Sequence, residues 1–124
     1  MNRETIFGQI PSKANCYVAV PDKEGCRRII KNETIRSYER SFADQCKIYR
    51  GQGISKPFRL IIDVYESSKR YDLDNALKTF LDCLQQVGAI ENDNLCDSIV
   101  ANRHIDRRNP RVVFAIEEFE PRLL

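Results

Sequence analysis

Three aspartates and a lysine stand out by type and spacing. Asp72, Asp74 and Lys78 lie in the stretch Lys69-Arg70-Tyr71-Asp72-Leu73-Asp74-Asn75-Ala76-Leu77-Lys78, and Asp93 follows Asn92 further along. Crowded carboxylates repel one another, and a cation between them removes that cost. Mg²⁺ and Mn²⁺ take oxygen ligands, often only one or two carboxylates completed by water and a substrate phosphate. Lys78, one helical turn beyond Asp74, can extend its ammonium over the same pole towards a phosphate or an attacking water. The plain readings are an aspartate helix cap and an ordinary Asp/Lys pair worth about 0.2–0.5 kcal/mol. An EF-hand loop is excluded, because Ala76 and Leu77 stand where a further oxygen ligand and a glycine are required.

The element that must position these groups is a helix. Leu73, Ala76, Leu77, Phe80, Leu81, Leu84 and Val87 recur at three- and four-residue spacing up to Gly88, the stripe of an amphipathic helix. Asp74, Lys78 and Asp82 fall on its polar face. Residues two apart on a helix point nearly opposite ways, so Asp72 and Asp74 converge only if Asp72 is the N-cap, where a carboxylate also suits the helix dipole.

With Gly88 and Asn92-Asp93-Asn94, the run Lys69-Arg70-Tyr71-Asp72-Leu73-Asp74-Asn75-x-x-Lys78-x-x-x-Asp82-x-Leu84 resembles the RusA-type crossover (Holliday) junction endodeoxyribonucleases. Pro11-Ser12-Lys13-Ala14-Asn15 resembles that family's Pro-Ser-x-Asn element, so the likeness spans most of the chain. It implies a homodimeric, metal-dependent nuclease that cuts four-way junction DNA symmetrically and leaves a 5′-phosphate. Asp72, Asp74 and Asp93 would bind Mg²⁺, with Mn²⁺ as the other choice, and Lys78 would be catalytic. Lys13, Asn15, Lys69, Arg70, Asn75 and Arg103 would face the nucleic acid. Asn92 stands where many members carry aspartate and offers a carbonyl oxygen without charge. That departure keeps two alternatives open, a junction- or DNA-binding protein with weak catalysis and a non-enzymatic α+β interaction domain.

Length and composition narrow the class. At 124 residues the chain fits one domain, residues 1–124, and no apolar run is long enough to span a bilayer. The first residues lack a secretory apolar segment, so a cytoplasmic protein without membrane contact is expected. Five cysteines, with no Cys-x-x-Cys pair, argue against zinc or a disulfide framework; Cys46 and Cys83 read as small core hydrophobes. The net charge is +2, but residues 1–60 carry 12 Lys/Arg against 6 Asp/Glu and residues 61–124 carry 8 against 12. A basic half beside an acidic pocket suits phosphate binding, as it also suits plain solvation.

The remaining elements follow from periodicity. A strand is expected over Glu4 to Ile10, stopped by Pro11, and a small hairpin over Tyr17–Val20 and Arg27–Ile30. Its basic residues Lys23, Arg27 and Arg28, with Lys13 on the loop before it, could track a DNA backbone. Ile35, Tyr38, Phe42, Cys46 and Tyr49 predict a helix from Thr34 to Tyr49. Phe58, Leu60, Ile62 and Val64 alternate as a strand, as do residues 95–103 and 111–116, the last two reading as an antiparallel hairpin. The lone His104 has no second His or Cys nearby and reads as a strand-edge residue. The fold class is therefore α+β, a small mixed sheet of about four strands with two main helices, in the order strand-helix-strand-helix-strand-strand.

Overall fold

The computed structural model describes residues 2–11, 17–31 and 33–119, for residues 17–18 and 27–31 the backbone only. Among them six strands and two long helices follow one another: β1 (Glu4–Phe7), β2 (Tyr17–Pro21), β3 (Arg27–Lys31), α1 (Glu33–Gln45), β4 (Phe58–Glu66), α2 (Leu73–Gln86), β5 (Cys96–Ile105) and β6 (Arg111–Glu118). The fold is α+β. Four strands form a mixed sheet in the order β1-β6-β4-β5, with β4 parallel to β5 and antiparallel to β6. β2 and β3 pair separately as the expected ribbon, whose turn is held by Asp22 Oδ1 accepting from the N–H groups of Glu24 and Cys26, both at 2.9 Å.

The alternation along β4 sends Phe58, Leu60, Ile62 and Val64 inward, all but fully buried. Both helices cover that face. Phe80 of α2 meets Phe42 of α1 edge-on at 5.4 Å and Phe114 of β6 at 4.8 Å, so three rings join the two layers. Such pairs add about 0.5–1.5 kcal/mol each beyond the area they bury. Cys46 and Cys83 are reduced and buried in this core, as their pattern predicts. The opposite face of the sheet carries the half-buried Arg59, Ile61, Asp63 and Tyr65.

Three expectations need correction. The helix predicted to reach Tyr49 ends at Gln45. Beyond it the N–H groups of Lys47, Ile48 and Tyr49 turn to the buried Glu4 carboxylate on β1, at 2.6, 2.9 and 3.2 Å. A distant side chain thus replaces the last helical turn. Nor are β5 and β6 a hairpin, since β4 lies between them. β6 carries Val112, Phe114, Ala115 and Ile116, which need burial inside the sheet, whereas the largely exposed β5 takes the edge. The first strand is also shorter than expected, ending at Phe7 before Gly8 turns with φ of 115°.

Candidate active site at the head of α2

Helix α2 begins where the sequence predicts. Asp72 is its N-cap, with extended φ of −91° and ψ of 121°, and its Oδ1 accepts from the Asp74 N–H at 3.1 Å. The far end closes with Gly88 at φ of 73°, where Ala89 N–H bonds to Leu84 O at 3.0 Å and Gly88 N–H to Gln85 O at 3.1 Å. Both are bonds of a Schellman stop, and the left-handed backbone explains the glycine.

At the head of α2, Asp72, Asp74 and Lys78 are all exposed, and Asn75 sits within 3.5 Å of Asp72 Oδ2. Basic groups rim them. Lys69 and Arg70 are exposed on the loop leading in, and Arg70 packs over the Tyr71 ring at 5.3 Å. The hydrogen bond from Arg70 holds the Tyr71 phenol below its ordinary value, against burial. Arg103, on β5 opposite Val64, donates from Nη1 to the Tyr71 carbonyl at 2.9 Å and so braces the loop. Lys13 and Asn15 lie outside the described residues.

Asp93 stands elsewhere. It opens a single 3-10 turn (Asp93–Leu95) ahead of β5, and its N–H donates to Gln85 Oε1 at 3.1 Å, beside the last turn of α2. Because β5 runs parallel to β4, with Phe58 opposite Cys96 and Glu66 opposite Ile105, Asp93 is at the Phe58 end while Asp72 follows the Glu66 end. At 1.5 Å per residue, the helix between Asp74 and Gln85 is about 16 Å long. Among the described residues of one chain, no three His, Cys, Asp or Glu side chains gather closely enough to hold a metal ion. One chain therefore brings Asp72, Asp74 and Lys78 to one pole and leaves Asp93 at the other. Asn92 caps the 3-10 turn, its Oδ1 accepting from Asn94 N–H at 3.0 Å, a task asparagine performs as well as aspartate.

Glu66, absent from the sequence-based set, joins this pole. It is the next inward position after Val64 in the β4 alternation, its side chain is fully buried, and neither carboxylate oxygen has a hydrogen-bond partner among the described residues. Burial raises its pKa above the ordinary carboxylate value; the Arg103 charge opposes the shift and the Asp72 charge adds to it. The alternation itself carried the signal, for it places a carboxylate on the core face at the end of β4, within electrostatic reach of Asp72. His104 behaves as its isolation suggests, with Nε2 at 2.9 Å from Asp63 Oδ1 and its ring stacked on Tyr65.

The family model for endodeoxyribonuclease RusA matches residues 9–117, so the chain belongs to the RusA endodeoxyribonuclease family. No curated protein matches it. Among the described residues no helix is long and apolar enough to cross a membrane.

Proposed function

We propose that the chain is a metal-dependent endonuclease that resolves four-way (Holliday) DNA junctions by paired phosphodiester hydrolysis, working as a two-fold homodimer. The observation that supports this most is the exposed head of α2, where the Asp72 cap sets two carboxylates and Lys78 on one pole of a chain of the RusA family. The donor set fits Mg²⁺, with Mn²⁺ as the other candidate. It is all oxygen, Asp72 and Asp74 are open to solvent, and such ions accept one or two carboxylates plus water. Asp72 and Asp74 would hold the ion, which when bound screens charge on the phosphoryl oxygens and acidifies its water.

The chain's own groups do the rest. Lys78 offers its ammonium to the charge that builds on the phosphate or to the attacking water. Lys69, Arg70 and Arg103 hold the DNA backbone, with Asn75 adding a neutral donor. Lys13 and Asn15 enter this reading through the motif alone. Asp93, at the other end of α2, can reach the same ion only from a second copy. A two-fold dimer then has two complete sites, one for each opposed strand of a two-fold junction.

The test is cleavage of a synthetic four-way junction, a duplex and a single strand in Mg²⁺. Paired cuts in the junction are expected, with loss of cutting but retained binding in Asp74→Asn. Cutting that survives Asp74→Asn contradicts the assignment. Lys78→Ala should lower turnover while leaving metal affinity and folding intact.

A further inference from the structure

Glu66 presents an unusual problem of acceptors without donors. It closes the inward row Phe58, Leu60, Ile62 and Val64, where the apolar core gives way to the loop before α2. Its side chain has no exposed surface, and among the described residues both oxygens lack a partner. Ser68 Oγ, two residues on, is likewise enclosed and unpartnered. The charges acting on Glu66 are those of Arg103 and Asp72, and Arg103 directs Nη1 to the Tyr71 carbonyl instead. A carboxylate has about four acceptor sites, and leaving them empty in a buried place is costly. A buried polar group without a partner calls for an explanation, and a water or ion at that place is one. Mg²⁺ dehydrates reluctantly and keeps several waters, each a source of donors.

We propose that Glu66 is a positioning residue of the cation site, accepting hydrogen bonds from water coordinated to a divalent ion held by Asp72 and Asp74. The inference rests on the metal-dependent reading above and adds a residue outside the aspartate-lysine motif. Direct ligation by Glu66, Asp72 and Asp74 together conflicts with the absence of any such group of three among the described residues. A water bridge satisfies both that absence and the empty acceptors. Carboxylates that orient metal-bound groups in this way typically contribute 10–100-fold to metal affinity.

The experiment is calorimetric titration of the full-length, DNA-free protein with Mn²⁺, together with melting midpoints in EDTA and in Mn²⁺. Wild type, Asp74→Asn, Glu66→Gln and Glu66→Asp are compared. Glu66→Gln should bind Mn²⁺ about tenfold or more weakly, and should gain less from Mn²⁺ in melting than wild type does. Glu66→Asp, which keeps the charge but draws it back by one methylene, should fall between the two. If Glu66→Gln keeps both the wild-type affinity and the Mn²⁺-induced shift while Asp74→Asn loses them, the role of Glu66 is overturned and the aspartate site stands. Should Glu66→Gln fail to fold, an unchanged Mn²⁺ affinity in Glu66→Asp overturns it equally. Wild type that binds no Mn²⁺ brings down both readings.

Discussion

Among the described residues two glutamates are buried, and they are treated in opposite ways. Glu4 on β1 is only 6% exposed, yet its carboxylate accepts from the N–H groups of Lys47, Ile48 and Tyr49 and lies 3.5 Å from the Cys46 thiol. Glu66 on β4 is 0% exposed, and its carboxylate accepts from no group among the described residues. The first carboxylate does the work of a missing helical turn, and burial with the Glu4 charge pushes the neighbouring Cys46 thiol up to about 12. The second does no such structural work. The contrast separates a buried carboxyl that the fold needs from one that the fold merely tolerates, and the tolerated one feels the charge of Asp72.

The comparison breaks most visibly at Glu4. Glu4→Ala leaves three backbone N–H groups unpaired and should cost roughly 3–5 kcal/mol, as when one partner of a buried charged network is removed. Urea midpoints should fall by the same amount with or without Mn²⁺, and a metal-dependent loss would erase the distinction drawn here. Glu66→Leu should move the other way. Replacing this unpartnered buried carboxyl with an apolar side chain of similar volume should stabilise the protein by about 1–3 kcal/mol in EDTA.

The pH dependence sharpens the same point. Because burial raises the Glu66 pKa, the folded chain keeps a proton there that the unfolded chain loses above about 4.3. Stability is then greatest on the acid side of that value and declines as pH rises through the raised one. Melting of Glu66→Leu from about pH 4 upward should lack this decline. Asp106 has the opposite sign, its carboxyl held low by the Arg111 hydrogen bond, so its contribution is present at neutral pH and lost on acidification. The smallest effect is at the cap: Asp72→Ala should cost about 1 kcal/mol, while Asp72→Asn should melt like wild type. Loss of junction cutting in Asp72→Asn, despite unchanged melting, would separate its chemistry from its capping.

What the sequence made legible is what local periodicity controls. The stripe from Leu73 to Val87 yielded α2, and the impossibility of two convergent aspartates two residues apart within a helix yielded the Asp72 cap. The β4 alternation gave its four apolar positions, and the same count, carried one step further, reaches Glu66. Long-range choices were not legible. Nothing near Cys46 announces that Glu4 will take its neighbours' N–H groups, and nothing in the turn at Asp106–Pro110 tells that β6 will cross to the far side of β4. The placement of Asp93 depends on the parallel pairing of β5 with β4, which sends the end of α2 away from its head.

That separation offers the most direct measurement. Asp74→Asn and Asp93→Asn subunits, each inactive alone, are to be mixed, allowed to exchange, and assayed on a four-way junction in Mg²⁺. If the head of α2 is completed by Asp93 of a second copy, the mixed dimer retains one intact site, and cutting of one strand per junction should return. A mixture as silent as either variant alone, with mixed dimers demonstrably formed, would contradict it.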